Sequence, residues 1–267
     1  MSHPSLLCIH AHPDDEALWT GGLLARCAEL GARTSVLTCT WSVGTVRSEE
    51  LAESLDLLGA GEPRLLGYGD RAYVDSAPGE SAFCDAPFDE LVERVVEHIR
   101  TFRPDTVVTY DPLGVYGHPD HVQAHRVTLA AIGAAAYPQM YPNAGRPWRT
   151  KMLYLATMPL STARVLWPPV MKQSGQTDGP LPGVPDEVVD TTVDVEPWLD
   201  VKWRALCSHR SEIARGGAMT MLAALPEDVR SQVLRNEWFL RMPMSADADA
   251  SDALAFPSAD ASNPGLS

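Results

Sequence analysis

Short apolar runs alternate with longer helix-like patterns along this chain, and the alternation limits the fold more than any other feature. Five of the runs have the length of buried strands, and they lie at residues 5–10, 34–40, 64–68, 106–110 and 151–157. Strands that alternate with helices form a parallel sheet with helices packed on its faces. The sequence therefore predicts an α/β fold with a doubly wound, mostly parallel sheet and helices on both faces.

The last third of the chain carries weaker signals. Residues 188–195 alternate apolar and polar side chains, which suits an edge strand, whereas residues 198–215 and 228–240 are typical of helices. Residues 244–267 are mostly Ala, Asp, Ser and Pro, a composition that cannot bury a core. We therefore expect one α/β domain over residues 1–243, followed by a disordered acidic tail.

A polar cluster follows the first apolar run directly. His12, Asp14, Asp15 and Glu16 place one imidazole and three carboxylates within five positions. At the carboxyl end of a first strand, this cluster would occupy the edge where open α/β sheets bind their ligands. So much negative charge in one turn is unfavourable unless a cation lies among it, and a divalent metal is the simplest candidate.

A second cluster, Tyr116 to His121, follows the strand-like run at 106–110. Adjacent strand ends could bring His12, Asp15 and His121 together, and two imidazoles with one carboxylate are the ligands of a hydrolytic zinc site. Alternatively, each His-Pro-Asp is only a helix-start turn, with Asp as the cap and Pro at the first position. The presence of two such turns, each after a strand, favours the metal site.

Charge and cysteine content exclude several classes of protein. The chain has 35 acidic and 21 basic side chains, a net charge of −14, which argues against nucleic acid as a partner. Its five cysteines lack CxxC spacing and favour free thiols in a reducing compartment. Without a leader pattern or a long apolar run, we expect a soluble cytoplasmic protein with no membrane partner. The sequence leaves homo-oligomerisation open.

The two motifs, His12-Pro13-Asp14-Asp15-Glu16 and His118-Pro119-Asp120-His121, together resemble the LmbE-like, or PIG-L, family of zinc-dependent N-acetylglucosaminyl deacetylases. Tyr116-Gly117 and Arg47 support the likeness, which runs from about residue 5 to about residue 215. The chain is most similar to the actinobacterial branch that acts on mycothiol precursors, mycothiol conjugates and natural-product sugars. This resemblance implies a Rossmann-like fold and a hydrolase that removes acetyl from an N-acetylglucosamine-type sugar on a small-molecule conjugate.

The resemblance also implies a metal site. It assigns His12, Asp15 and His121 as the ligands of Zn²⁺, and the same ligand types accept Fe²⁺ or another divalent metal. His125 lies one helical turn after His121, on the same face of a helix, and could form a metal-binding pair with it. The family pattern instead leaves His125 near the site without ligating. Glu16 is expected to cap or pair at the helix start.

Catalytic roles follow from the same resemblance. Asp14 stays off the metal and acts as general base toward a metal-activated water. His118, as an imidazolium, stabilises the oxyanion and protonates the departing amine, and Asp120 raises its pKa and orients it. Tyr116 donates to the tetrahedral intermediate, although the residue pattern alone also fits a packed loop aromatic.

Three further residues match family positions that contact the amino-sugar substrate. Arg47 and Asp75 would grip sugar hydroxyls, because Arg donates and Asp accepts hydrogen bonds. His209 would face the pocket mouth. For each of them a structural role, as a surface ion pair or an exposed helix-end histidine, also fits the sequence.

Two other functions fit parts of this pattern. One is an amidase that cleaves a larger acyl group, from a mycothiol S-conjugate or a lipoglycopeptide. The other is a non-catalytic sugar-binding α/β module, which predicts the loss of a ligand or of the base. His12, Asp14, Asp15, His118 and His121 are all present, which favours the deacetylase.

Overall fold

The computed structural model describes residues 5–73, 75–173, 180–216 and 218–245. Its strands are β1 (Leu6–His10), β2 (Thr34–Thr40), β3 (Arg64–Tyr68), β4 (Thr106–Tyr110), β5 (Met152–Thr157), β6 (Thr191–Asp194) and β7 (Asn236–Pro243). Its α-helices are α1 (Asp15–Glu29), α2 (Val46–Leu58), α3 (Phe88–Phe102), α4 (Gly114–Gly117), α5 (Pro119–Ala135), α6 (Leu160–Gln173), α7 (Leu199–Ser208), α8 (Arg210–Ala214), α9 (Ala218–Ala224) and α10 (Glu227–Leu234).

All seven strands form one sheet in the order β3-β2-β1-β4-β5-β7-β6. Strands β1 to β5 pair in parallel, and only β7 runs antiparallel, against both β5 and β6. The predicted α/β fold with a mostly parallel sheet is therefore confirmed. The chain reverses its direction of travel across the sheet between β1 and β4, and such a switch point is where open α/β sheets bind ligands.

The strand that leads into the first motif is buried on both faces. Leu7 and Ile9 of β1 pack into the core on one side of the sheet, while Leu6 and Cys8 pack into the core on the other side. A central strand covered by helices on both sides explains why its sequence is apolar from Leu6 to Ile9. The residues that follow β1 are consequently held on a rigid support.

The predicted helix at 228–240 is wrong in its second half. Helix α10 ends at Leu234, and β7 begins two residues later. Glu237 and Phe239 of β7 are buried, while their neighbours Asn236 and Trp238 are partly exposed. This alternation belongs to a strand, but it is too short to stand out beside the preceding helical pattern.

Helix α1 is fixed at its middle by groups distant in sequence. Both carboxylate oxygens of Glu237 accept hydrogen bonds from the backbone N–H groups of Gly22 (2.8 Å) and Leu23 (3.0 Å). A Cβ atom on Gly22 would lie 2.2 Å from the Cβ of Val195, so only glycine permits this approach. The direction of α1 away from the first motif is thereby set.

Two further sequence predictions, the helix at 198–215 and the tail, do not match a single described element. The predicted helix at 198–215 is broken at His209, whose backbone (φ −78°, ψ 57°) separates α7 from α8. The expected tail lies outside the described residues from 246 onward. Within the described ranges, no helix combines the length and apolar character needed to cross a membrane.

Candidate metal centre and active site

Three side chains from the two motifs converge between β1 and β4. The Nδ1 atom of His12 lies 3.2 Å from the Nε2 atom of His121. The Oδ2 atom of Asp15 lies 3.3 Å from the first nitrogen and 3.4 Å from the second. All three residues are buried. The structure thus brings together the three residues that the resemblance implied as metal ligands.

The spacing of these three atoms fits a divalent ion. Ligands bound tetrahedrally at about 2.0–2.1 Å lie about 3.3–3.4 Å from one another. Burial alone would lower the pKa of His12, but hydrogen bonds to Asp120 and Asp15 reverse this and raise it well above its usual value. Burial would raise the pKa of Asp15, but His121 and His12 hold it well below its usual range. The cluster therefore attracts a cation.

Neighbouring side chains could complete the ligand set. Donor atoms of His12, His118 and His121 lie within 4.8 Å of one another, and so do those of His12, Asp70, His118 and Asp120. His125, which the residue pattern also left open as a ligand, instead donates from Nδ1 to the backbone carbonyl of Tyr110 (2.8 Å).

Two residues that hold Asp15 were not among the predicted site residues. Tyr110, the last residue of β4, donates its hydroxyl to Asp15 Oδ2 (2.7 Å) and stacks on His121 with ring centroids 4.1 Å apart. Trp19 donates from Nε1 to Asp15 Oδ1 (3.1 Å). Its position one helical turn after Asp15 was a usable signal, because residues four apart lie on one helix face.

Asp14 adopts a backbone conformation that is rare outside glycine (φ 118°, ψ −28°). Strain of this kind persists where the surroundings enforce it, and it is frequent at functional sites. The carboxylate lies 2.9 Å from Arg47. Burial raises the pKa of Asp14 to about 7 despite the lowering effect of Arg47. A carboxyl that titrates near neutral pH is suited to act as a general base.

Glu16 stabilises the strained backbone conformation of Asp14 through a hydrogen bond. The backbone N–H of Asp14 donates to Glu16 Oε2 (2.9 Å), and the other oxygen of Glu16 accepts from Ser54 and from His209 (2.8 Å). His209 is fully buried and does not line the cavity. The expectation that His209 faces the pocket mouth is therefore wrong, because its ring is committed to Glu16.

Arg47 also differs from its expected role. It lines the cavity, but the residue is only 2 % exposed. Its guanidinium donates to Asp14, to Glu212 (2.9 Å) and to the carbonyl of Pro13. The ring of Trp41 lies 5.0 Å below it. With these partners, the two terminal nitrogens of Arg47 orient Asp14 and are not available to bind sugar hydroxyls.

His118 is held as a neutral ring. Its Nδ1 atom accepts a hydrogen bond from the backbone N–H of Asp120 (3.2 Å), which leaves the ring proton on Nε2. Burial, and then the charges of His12 and His121, lower its pKa to about 4. The expected imidazolium is not favoured here. The contact also makes His118 the cap of α5, so the helix-start turn coexists with the cluster.

The carboxylate of Asp120 is directed at His12. Its Oδ2 atom lies 3.3 Å from His12 Nε2 and 3.9 Å from His118. The backbone N–H groups of Arg71 (3.1 Å) and Cys84 (3.0 Å) fix it in place. Asp120 therefore orients a proposed metal ligand. Its charge also acts to raise the pKa of His118, as expected, but burial and the charges of His12 and His121 outweigh that effect.

Of the last two predicted site residues, Tyr116 lies at the cavity and Asp75 does not. Tyr116 lines the cavity and packs edge-on against His121 at 5.0 Å. Burial raises the pKa of its phenol well above the usual range, so it remains a donor. Asp75 is exposed and does not line the cavity. Asp70 lies there instead and accepts from the indole N–H of Trp41 (3.2 Å).

The cluster opens into a cavity of about 380 Å³. Its walls include His12, Asp14 and Asp15 and extend to α7, α9 and β7. Most of the lining side chains are apolar or aromatic, as in many small-molecule sites. The polar groups of such a cavity can orient a ligand, and its apolar walls keep water away from the ligand.

Comparisons with known proteins agree on one family. The PIG-L family model, described as GlcNAc-PI de-N-acetylase, matches residues 7–132. The 1D-myo-inositol 2-acetamido-2-deoxy-alpha-D-glucopyranoside deacetylase of Rhodococcus jostii is 40% identical over 93% of this chain and 96% of its own. The enzyme of that name from Rhodococcus opacus is 39% identical over 90% and 92%.

A solved structure shares the fold. The N,N'-diacetylchitobiose deacetylase from Pyrococcus horikoshii superposes with a TM-score of 0.61 at 18% identity, over 90% of this chain and 84% of that one. Similarity at this level of identity supports the fold alone.

Proposed function

Because this chain belongs to the PIG-L, or LmbE-like, family of de-N-acetylases, we propose that it hydrolyses the acetamide of an N-acetylglucosaminyl inositol. The products are acetate and the free amino sugar. Relatives at 39–40% identity over nearly the whole chain carry this substrate in their names. The observation that carries the proposal is the triangle of His12, Asp15 and His121 beside the carboxylate of Asp14, which pairs with Arg47.

The proposed metal ligands are His12 Nδ1, Asp15 Oδ2 and His121 Nε2, and the proposed ion is zinc. A divalent ion held by them would lower the pKa of a water molecule and polarise the acyl oxygen. Two nitrogens and one carboxylate oxygen suit zinc, and they also accept ferrous iron.

The chain's own side chains supply the proton transfers. Asp14 accepts a proton from the attacking water as the new C–O bond forms. Tyr116 and the Nε2–H of His118 can donate to the oxygen that becomes negative. Asp14 then returns the proton to the sugar nitrogen as the C–N bond breaks, so water and amide give acetate and amine with no further reactant.

The decisive experiment is an assay of acetate and free amine released from N-acetylglucosaminyl inositol by the zinc-loaded protein. N-acetylglucosamine alone and an N-acetylated galactosamine glycoside serve as comparison substrates. We expect the inositol glycoside to be preferred. Absence of hydrolysis of every acetylated glucosaminide by protein with full zinc content would contradict the proposal.

The apolar walls of the cavity support a second candidate, an amidase that acts on a larger acyl group. An acetyl group occupies little of about 380 Å³. Comparing N-acetyl, N-butanoyl and N-hexanoyl glucosaminyl inositol would distinguish the two. A rise in kcat/KM with chain length favours the amidase, because each buried methylene contributes about 0.8 kcal/mol.

A further inference from the structure

A buried lysine lines the cavity away from the motifs. Lys202 of α7 is 1 % exposed, and its Nζ atom lies 2.7 Å from Oε1 of Glu237. Both residues belong to the cavity wall. No sequence motif pointed to either of them, and the proposed reaction does not use them.

Within the part of the chain that the structure describes, Glu237 accepts three hydrogen bonds, whereas Lys202 donates only one of the three that it can make. Glu237 accepts from Lys202 and from the backbone N–H groups of Gly22 and Leu23. A lysine side chain carries three N–H donors and no acceptor. Among the described residues, Glu237 is the one hydrogen-bond partner of Lys202. Two buried donors beside the cavity therefore lack a protein acceptor, an arrangement that folded proteins avoid.

The position of the pair suits a ligand that also reaches the metal cluster. Helix α1 begins at Asp15, a proposed ligand, and Gly22 lies seven positions later, about 10 Å along the axis at 1.5 Å per residue. Glu237, the partner of Lys202, accepts a hydrogen bond from the backbone N–H of Gly22. One cavity includes both Asp15 and Lys202. The span is comparable to the length of two linked six-membered rings.

We propose that Lys202 is a specificity-determining residue that donates hydrogen bonds to hydroxyl oxygens of the aglycone ring. This inference rests on the proposed function, because it takes the scissile acetamide to lie at the cluster. Glu237, fixed by the backbone of α1, holds the Lys202 amine in place before substrate arrives. The apolar and aromatic walls contact the carbon faces of the ring, and Lys202 supplies the polar contact that fixes its orientation.

The test compares Lys202→Met with Lys151→Met, which removes an exposed lysine paired with Asp105. Each variant is assayed with N-acetylglucosaminyl inositol and with methyl N-acetylglucosaminide, which has no ring aglycone. Lys202→Met should lower kcat/KM about ten- to hundredfold for the inositol glycoside, mainly through KM, the loss expected for a hydrogen bond to a charged group. The methyl glycoside should change less than about twofold, and Lys151→Met should change neither.

An equal loss on both substrates means that Lys202 only supports the fold, and no loss on either means that it contacts nothing; both results overturn the proposal. If Lys202→Met does not fold, deoxy-inositol glycosides assayed with the native protein decide instead. One deoxy analogue should lose the same tenfold or more, and uniform rates would overturn the proposal.

Calorimetry keeps this inference separate from the proposed function. Binding of the intact inositol glycoside is measured for Asp14→Asn alone and for Asp14→Asn combined with Lys202→Met. A weaker affinity in the double variant supports the role of Lys202 even if the native protein hydrolyses neither glycoside. Equal affinities overturn that role.

Discussion

The Nδ1 atom of His12 lies 3.2 Å from the Nε2 atom of His121, although the two residues are 109 positions apart in the chain. Each belongs to a segment that follows a strand, and β1 and β4 are neighbours in the sheet. Two ring nitrogens at this distance repel unless a proton or a cation lies between them. Asp15, close to both, adds the negative charge that favours a cation.

Removal of metal should therefore abolish activity and weaken the fold. Dialysis against a chelator is expected to eliminate acetate release, and added zinc or ferrous iron should restore it. A metal present at a thousand times its Kd adds about 4 kcal/mol to the free energy of unfolding, which raises Tm. The Tm of His121→Ala should not respond to metal. Full activity at a metal content of zero would contradict the site.

Replacing Asp14 by Asn should separate metal binding from catalysis. The variant keeps the three proposed ligands and loses the proton acceptor, so its metal content should match that of the native protein. Its kcat should fall by about 10²- to 10⁴-fold, the usual contribution of a general base. Plasma emission spectroscopy and an acetate assay measure the two quantities. Turnover equal to the native rate would show that another group takes the proton.

The buried pair of Glu16 and His209 should behave as one unit. Loss of one partner from such a pair costs about 3–5 kcal/mol, because the other is left buried and charged. We expect His209→Leu and Glu16→Gln each to lower the free energy of unfolding, and the double variant to lose less than their sum. Urea unfolding of all four proteins measures the coupling. Strict additivity would mean that the two residues act separately.

His98 of α3 should contribute to acid sensitivity. Burial, and then Arg64 and Arg94, lower its pKa from 6.5 to about 4. Between these pH values the unfolded chain binds a proton that the folded protein does not. The free energy of unfolding must therefore fall as the pH drops from 6.5 to 4.

His98→Gln removes this titration, so its free energy of unfolding should fall less across that window, while above pH 7 the two proteins should show the same pH dependence. Denaturant titrations at each pH provide the comparison. Parallel curves throughout would show that His98 does not carry the effect.

Gly22 and Gly133 form a matched pair of helical glycines. A Cβ on Gly22 would collide with Val195, whereas a Cβ on Gly133 meets nothing within 4 Å. Gly22→Ala should cost about 1–3 kcal/mol, as overpacking does. Gly133→Ala should stabilise the protein by about 0.5–1 kcal/mol, because alanine loses less freedom in a helix. Thermal unfolding should thus shift in opposite directions, and shifts of the same sign would be inconsistent with the packing at Val195.

The buried parallel strands could be predicted from the sequence nearly residue by residue. Strands β2, β3 and β4 have the predicted bounds. Strands β2 and β4 are buried along nearly their whole length, and a strand covered on both faces is rich in apolar and β-branched residues. Strand β7 could not be identified in this way. Its half-buried residues are strand-like only because β5 and β6 lie on either side of them, a relationship that no local pattern contains.

The candidate site shows the same division. The convergence of His12, Asp15 and His121 could be predicted, because side chains that follow neighbouring parallel strands meet at one edge of the sheet. The groups around them could not be assigned, because their roles depend on which partner lies nearest. Arg47 contacts Asp14, and Asp70, not Asp75, reaches the cavity. Both outcomes follow from the path of the chain between elements.

Strand β7 is the last strand within the described residues, yet it lies inside the sheet between β5 and β6. During synthesis, β1 and β4 can pair and gather the histidines while β5 still has an open edge. Unpaired strand edges invite association with other chains, so the nascent protein is most prone to aggregate in that interval. The ribosome completes the wall that carries Glu237 only after the segments that hold the histidines have been made.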